Sequence, residues 1–217
     1  MKIAYCLAGH TREFDKIISG PNDCMRNKEG VDFYISTWIK TGQDTTFWSG
    51  EKIGENVVNI ESMFNNYKPL QWDMEGEHSY PDLFKFDHNF KDTPVNVLNT
   101  LLMFRKIGNV LEYPDATYDV VVRSRFDITF LDVNFKECDE NTIYGKLSPI
   151  NGLPSDIFFY GKQDVMSRAV PNEEFYTEEI INTSINAEDV FRKYLEKENI
   201  KFVVDEGLKY VLKNITY

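Results

Sequence analysis

An apolar strand that runs into three charged side chains constrains this sequence most. Residues 118–122 read YDVVV, and Arg123, Arg125 and Asp127 follow at alternate positions, which share one face of a straight strand. Open α/β sheets bind ligands in the crevice beyond the carboxyl ends of their strands. An aspartate supplies a hard oxygen ligand for a divalent cation, and an arginine can donate two parallel hydrogen bonds to a phosphate group. The segment predicts a site for a metal-bound diphosphate; solvated charges with one ion pair are the alternative.

A second anion site is predicted at the N-terminus. Ile3–Ala8 is an apolar run of strand length, followed by Gly9 and then a plausible helix. A strand, a glycine turn and a helix start place free backbone N–H groups where an anion can bind, and Gly9 lets it approach closely. The segment has neither the G-x-G-x-x-G of a dinucleotide site nor the G-x-x-x-x-G-K-[ST] of a P-loop, which argues against NAD binding and ATP hydrolysis.

Composition narrows the classes of function. With 217 residues, 42% of them hydrophobic, the chain suits one packed domain. A net charge of −11 argues against a nucleic-acid partner. Three scattered cysteines without a C-x-x-C pair indicate free thiols in a reducing compartment. No apolar run is long enough for a membrane span or a signal peptide, so we expect a cytoplasmic protein.

The hydrophobic pattern alternates between strands and helices. A helix over 94–111 leads into strand 118–122, an order that predicts parallel pairing through a right-handed crossover. We predict a single α/β domain over 1–217, with a central mixed, mostly parallel sheet flanked by helices. The other predicted strands cover 3–8, 31–37, 57–60, 70–73, 143–144, 157–160 and 200–205, and the other helices cover 61–67, 162–170, 173–181, 187–197 and 208–213.

This layout resembles that of the GT-A glycosyltransferases. In that family a D-x-D-like motif in mid-chain holds Mn²⁺ or Mg²⁺ against the diphosphate of a sugar nucleotide. Here Arg125-Phe126-Asp127 occupies that place, with arginine instead of the first acid. The resemblance implies a GT-A (Rossmann-like) three-layer fold with Asp127 as the metal ligand. It also implies that residues 1–131 bind the nucleotide sugar and that residues 132–217 form the acceptor side.

Four segments resemble a narrower group, the chlorovirus multidomain glycosyltransferases that glycosylate the viral major capsid protein. They read AYCLAGHTREF, FYISTW, YDVVVRSRFD and SDIFFYGKQDVM, and the similarity covers the whole chain. The resemblance implies transfer of a sugar from a UDP-sugar donor to a growing glycan on the capsid protein, in the host cytoplasm if the protein is viral. It points to L-rhamnose as the sugar and to further domains C-terminal to this one.

The resemblance assigns the donor to the ends of the first, second and mid-chain strands. Arginines there neutralise the diphosphate, and backbone groups contact the uridine. The alternative for Arg123 is a structural ion pair with a helix carboxylate, and for Trp38 a place in the core. The residues assigned to the nucleotide sugar are Leu7, Ala8, Gly9, His10, Arg12, Thr37, Trp38, Arg123 and Arg125.

Two acids of the second half are candidates for catalysis. Asp156 follows a Pro-Ser turn and precedes strand 157–160, where it can accept the proton of the attacking hydroxyl or hydrogen-bond a donor-sugar hydroxyl. A turn aspartate that caps its own backbone is the alternative. Glu188 lies in the first turn of helix 187–197, where it complements the helix dipole, and is kept as a reserve base.

Two other classes of protein remain open. Gly9-His10-Thr11-Arg12 is similar to part of the G-x-G-T-R loop of sugar-nucleotide nucleotidyltransferases, although the paired glycines are absent. The incomplete D-x-D motif leaves a non-catalytic nucleotide-sugar-binding module as the second alternative. A pyrophosphorolysis assay separates a nucleotidyltransferase from a glycosyltransferase, whereas a binding module would hold ligand without turnover.

Overall fold

A computed structural model of the chain describes residues 1–9, 11, 24–39, 59–75, 95–176, 180, 183–184, 186–212 and 215–216. No helix within these ranges is long and apolar enough to cross a membrane. The strands are β1 (Ile3–Ala8), β2 (Val31–Trp38), β3 (Gln71–Glu75), β4 (Val120–Ser124), β5 (Ile128–Asp132), β6 (Thr142–Leu147), β7 (Pro154–Gly161), β8 (Lys201–Val204), β9 (Lys209–Leu212) and β10 (Ile215–Thr216). The helices are α1 (Ile60–Tyr67), α2 (Val95–Leu111), α3 (Gln163–Met166) and α4 (Ala187–Lys197), with a 3-10 helix at Glu173–Phe175.

Seven strands form the central sheet, in the order β3-β2-β1-β4-β7-β6-β8. The first four run parallel to one another, so their carboxyl ends meet at one edge. Strand β7 is antiparallel to both β4 and β6, and β8 is parallel to β6. A smaller antiparallel sheet has the order β10-β9-β5. The large sheet is therefore mixed and mostly parallel.

The core lies on both faces of the large sheet. On one face, Phe191 of α4 lies between Phe159 of β7 and Phe104 of α2, with ring centroids 4.9 and 6.0 Å away. On the other face, the small sheet contributes Phe130 and Tyr210, whose rings are 5.8 Å apart. Because each face of the sheet carries apolar side chains, both must be covered, which gives three layers.

The sequence predicted most of the central elements correctly. Strand β1 has the predicted bounds, and α2 and α4 cover the predicted helices from Val95 and Ala187 onward. Asn186 caps α4, because its side chain accepts a hydrogen bond from the Asp189 N–H at 2.9 Å. Periodic apolar side chains and a capping residue were sufficient signals for these elements.

Several predicted elements are wrong. Ile60 begins α1 instead of ending a strand, because Asn59 caps the helix by accepting from the Ser62 N–H at 3.0 Å. The segment predicted as a helix over 208–213 contains β9, which pairs antiparallel with β5 and buries Tyr210. The helices predicted over 162–170 and 173–181 are, in their described parts, the short α3, the 3-10 helix and a single helical residue at 180.

The strand that carries the charged residues also differs from the prediction. Strand β4 ends at Ser124, the chain turns at 126–127, and Ile128 begins β5 in the other sheet. Arg123 is therefore inside a strand while Arg125 and Asp127 lie in the connection, and the three do not share one strand face. Asp156 is likewise inside β7 and not in a turn that precedes it.

Candidate active site

The ends of β1 and β2 are joined by Gly9. Its φ of +110° lies in a region of backbone conformation that is strained for any residue with a side chain. The backbone at this position therefore requires glycine. The Gly9 N–H donates to the Ser36 carbonyl at 3.1 Å, and the Thr37 hydroxyl donates to the Gly9 carbonyl at 2.8 Å. The Gly9 amide and the buried Thr37 hydroxyl are therefore used by the fold.

The remaining residues predicted near this end divide into two groups. Leu7 and Ala8 are buried in β1 between β2 and β4. Their side chains pack in the core, so any contact with a nucleotide would have to use the backbone. His10 and Arg12 lie outside the described residues, and their predicted phosphate contacts stay predictions.

A buried lysine fixes the surroundings of Trp38 at the end of β2. Lys106 of α2 is 2% exposed, and its Nζ lies 5.5 Å from the centroid of the Trp38 ring. The ammonium also pairs with Asp73 Oδ2 at 3.2 Å and Glu75 Oε1 at 3.0 Å. These charges compensate the cost of burying Lys106. Trp38 is thus half-buried beside an ion-paired cation, and sequence reasoning did not find Lys106.

Arg125 and Asp127 form a forked ion pair in the β4–β5 connection. Arg125 Nε donates to Asp127 Oδ1 at 2.8 Å, and Arg125 Nη2 donates to Oδ2. The side chains are 17% and 4% exposed. Both carboxylate oxygens of the predicted metal ligand therefore accept hydrogen bonds from one guanidinium. Nowhere in the described ranges do three or more His, Cys, Asp or Glu side chains gather as a metal-binding group.

Arg123 is a fully buried guanidinium, and one of its edges lacks a hydrogen-bond partner among the described residues. Its Nη1 donates to the Ile157 carbonyl, whereas Nε and Nη2 have no hydrogen-bond partner among the described residues. Burial lowers the pKa of Arg123 to about 10, although the charge of Asp156 works against the shift, so the group stays protonated at neutral pH. No salt bridge to a helix carboxylate is present in the described part of the chain. Two buried N–H groups without a described partner are costly, and an anion that reached them would satisfy both.

The two candidate catalytic acids come together. Asp156 is buried in β7, and Glu188 is half-buried in the first turn of α4. Burial, and after it the negative charge of Asp156, raise the pKa of the Glu188 carboxyl. Hydrogen bonds with Ser148 and Asn151 partly oppose this rise. An acid whose pKa is raised by burial and by a neighbouring carboxylate is a candidate for proton transfer.

The neighbouring Asp189 has a different role. Its carboxylate pairs with Arg192 at 2.8 Å and Lys193 at 3.1 Å on the same helix. These pairs stabilise the first turns of α4 and neutralise the acid. Glu188, the other acid, interacts with Asp156 and with Ser148 and Asn151 of the β6–β7 loop.

Tyr176 is a further polar group beside these acids. It is 5% exposed, and its hydroxyl has no hydrogen-bond partner in the part of the chain that the structure describes. Burial raises the pKa of this tyrosine, and the charge of Asp156 adds to the rise, which places the phenol near that carboxylate. No signal in the sequence distinguishes Tyr176 from an ordinary core tyrosine. Together, Asp156, Tyr176 and Glu188 form what we call the acid cluster.

Comparison with known proteins gives a likeness in structure alone. No protein-family model matches the sequence, and no curated protein matches it. The solved structure of an active-site mutant of LgtC shares 10% identity, with 94% of this chain and 72% of that chain covered at a TM-score of 0.51. Mouse xyloside xylosyltransferase 1 in its apo form shares 7% identity, with 94% and 84% covered at a TM-score of 0.46.

The chain has the GT-A fold. The predicted fold class is thereby confirmed: a three-layer α/β fold with a mixed, mostly parallel sheet between helices. In this fold the carboxyl ends of β1, β2 and β4 meet at the edge that carries Gly9, Trp38 and the Arg125–Asp127 pair. The acid cluster joins that edge from β7 and the start of α4. At 10% identity this likeness extends to the fold alone.

Proposed function

We propose that this chain is a glycosyltransferase that takes its sugar from a UDP-sugar donor. The observation that carries the proposal is the meeting, on a GT-A fold, of two chemically different groups. Arginines and one aspartate gather at the end of β4, and the acid cluster lies beside them. Glycosyl transfer requires both, because a diphosphate must leave while an acceptor hydroxyl loses its proton.

Asp127 would hold a divalent cation, Mn²⁺ or Mg²⁺, on the donor side. Its carboxylate is the type of oxygen ligand that hard cations take, and such ions bind one or two carboxylates together with substrate phosphates and water. A single protein acid therefore suffices when a diphosphate supplies further oxygens. A bound cation would offset the charge that develops on the leaving diphosphate. Arg123 Nε and Nη2 have no partner among the described residues but are fully buried, so Arg123 would act on the diphosphate through its charge.

Glu188 would act as the general base on the acceptor side. A new bond forms between the acceptor oxygen and the anomeric carbon of the sugar while the bond from that carbon to the diphosphate breaks. The proton of the acceptor hydroxyl passes to a Glu188 oxygen. Its raised pKa suits this role, since a base is most effective when its pKa lies near the working pH. Asp156 and Tyr176 would bind sugar hydroxyls, one as acceptor and one as donor of hydrogen bonds.

The finer assignments rest on the sequence segments that resemble the chlorovirus enzymes. They are L-rhamnose as the sugar, a growing glycan of a viral capsid protein as the acceptor, and a cytoplasmic site of action. A panel of UDP-sugars tests the first of these directly. Release of UDP identifies a transferase or hydrolase, whereas formation of UTP from UDP-sugar and pyrophosphate identifies a nucleotidyltransferase.

The proposal is tested first by ligand binding. UDP at about 100 times its dissociation constant should stabilise the protein by about 2.7 kcal/mol, measured as a rise in the unfolding midpoint. Stabilisation should increase with Mn²⁺ and should lose its Mn²⁺ dependence in Asp127→Ala. If UDP and the UDP-sugars leave the midpoint unchanged with and without Mn²⁺, the chain is not a UDP-sugar transferase.

Replacing Tyr176 by phenylalanine should have opposite effects on the free and the bound protein. The change removes a buried hydroxyl that has no partner among the described residues, so the free protein should gain about 1 kcal/mol of stability. Sugar binding should weaken by up to about tenfold, because one hydrogen bond to the ligand is lost. Thermal unfolding with and without UDP-sugar measures both effects, with UDP alone as the ligand that lacks the sugar.

Tyr194→Phe is the matched control for that experiment. Tyr194 is buried in the same core cluster, but the charges near it are those of Glu198 and Arg168, not Asp156. Its substitution should leave UDP-sugar binding at the wild-type value. A Tyr176→Phe protein that binds UDP-sugar as tightly as wild type would remove Tyr176 from the site.

A further inference from the structure

The Arg125–Asp127 pair occupies the carboxylate that the proposed donor site requires. Nε and Nη2 of Arg125 take one carboxylate oxygen each, in the side-by-side geometry of the strongest charge-assisted hydrogen bonds. The pair is mostly shielded from water, so solvent screens it little. A cation that approaches Asp127 in this state meets a fixed positive charge and two occupied oxygens.

Each member of the pair has a second suitable partner in the proposed donor complex. The Arg125 guanidinium can bind two phosphate oxygens as well as it binds the two oxygens of a carboxylate. It stays protonated, so it keeps its positive charge with either partner. Asp127 suits a hard divalent cation. A bound diphosphate therefore gives Arg125 another anion to bind. The Asp127 carboxylate can then bind the cation that accompanies the diphosphate.

We infer that Arg125 exchanges partners when the donor binds. In the free protein it covers Asp127; with a nucleotide diphosphate present it moves to the phosphates and leaves Asp127 to the cation. This inference rests on the proposed donor site. Its consequence is that cation and nucleotide bind cooperatively, and by linkage each must tighten the other by the same factor. The arginine that replaces the first acid of the D-x-D motif is thus a regulator of cation binding.

The test is to titrate the protein with Mn²⁺, first alone and then with saturating UDP. Binding is measured as the loss of the electron paramagnetic resonance signal of free Mn²⁺. Wild type should bind Mn²⁺ weakly alone and about tenfold or more tightly with UDP, within the usual range of coupling. Arg125→Gln removes the guanidinium that bonds both Asp127 oxygens, so Mn²⁺ alone should bind about tenfold more tightly than to wild type, and UDP should add little. Asp127→Asn should bind Mn²⁺ weakly in both conditions.

Two further variants test whether the change in Mn²⁺ affinity comes from the paired geometry of Arg125 and not from the loss of any positive charge. Arg125→Lys keeps a positive charge but loses the fork, so its affinity for Mn²⁺ alone should lie between those of wild type and Arg125→Gln. It also serves if Arg125→Gln does not fold. Arg168→Gln removes an arginine whose side chain bonds Asn141 at the surface, and it should bind Mn²⁺ as wild type does.

The outcomes separate this inference from the proposed function. If UDP stabilises the protein but Mn²⁺ binds Arg125→Gln and Arg125→Lys no more tightly than wild type, the exchange is overturned and the donor site stands. Equal Mn²⁺ affinity of wild type with and without UDP also overturns it. If UDP stabilises no variant, the donor site itself is wrong and the exchange is overturned with it.

Discussion

Replacing Glu188 by glutamine should lower the rate of sugar transfer by about 10²–10⁴-fold, the usual contribution of a general base. Glutamine has nearly the same shape and can still accept hydrogen bonds from Ser148 and Asn151, so the start of α4 should keep its structure. Binding of UDP-sugar should be unchanged, since Glu188 acts on the acceptor. Transfer to an added glycan acceptor and thermal stabilisation by UDP-sugar measure the two effects separately.

The pH dependence of transfer gives an independent check. Glu188 can accept a proton only when it is ionised, and burial together with the charge of Asp156 raises its pKa above the ordinary value. The wild-type rate should therefore increase as the pH rises through that raised pKa. In Glu188→Gln the increase should disappear, because glutamine does not titrate in this range.

Asp189→Asn, at the residue that follows Glu188, is the matched control. Its carboxylate is already paired with Arg192 and Lys193, so the substitution should cost about 1 kcal/mol or less of stability and leave transfer near the wild-type rate. A protein in which Asp189→Asn abolishes transfer and Glu188→Gln does not would reverse the assignment. If only Asp156→Asn abolishes transfer, Asp156 is the base and Glu188 a positioning residue.

The elements that sequence predicted well are those with a strong local signal. The apolar run of β1 and the capped, periodic pattern of α4 determine their own structure, and tertiary contacts agree with them. The segment around Tyr210 carries no such signal. Its residues fit a short strand or a helical turn equally, and only pairing with β5 decides between the two. The wrong helix over 208–213 follows from that.

The candidate site divides in the same way. The spacing of Arg125 and Asp127 in the sequence predicts that they lie close together. It does not predict that both carboxylate oxygens bond to the guanidinium. Asp156 meets Glu188 only because α4 packs along β7, and no local pattern encodes that contact. Lys106 was missed for a related reason. A lysine within a helix ordinarily lies in water, and the carboxylates of β3 that make its burial acceptable come from a distant part of the chain.

Replacing Asp205 by alanine should destabilise the fold by about 3 kcal/mol, the upper end of the cost of leaving a buried hydrogen-bonding group, here the Tyr160 hydroxyl, without its partner. Asp205 is fully buried at the connection from β8 to β9, where it links the two sheets. It accepts hydrogen bonds from the Tyr160 hydroxyl at 2.6 Å and the Gly207 N–H at 3.0 Å, and it pairs with Lys136 at 3.1 Å. For a chain of this length the unfolding midpoint should fall by roughly 6–12 °C.

Glu206→Ala is the matched control, one residue further along. Its side chain is 86% exposed and pairs with Lys146 at the surface, so its removal should change stability by no more than about 0.5 kcal/mol. Equal losses in the two variants would show that any acid in this connection has the same effect, and that the hydrogen bonds of Asp205 do not hold the sheets together.

The effect of Asp205 should also depend on pH in one direction. Burial raises the pKa of its carboxyl, but the hydrogen bonds from Tyr160, Lys136 and Gly207 outweigh burial and leave the pKa below its ordinary value. A lowered pKa means that the folded state prefers the ionised form, so the stabilisation is present above the unfolded pKa and is lost as the pH falls through the folded one. The difference in stability between wild type and Asp205→Ala should therefore shrink in acid. A difference that stays constant into acid would mean that the charge of Asp205 contributes nothing, and that the alanine variant suffers only from the lost packing.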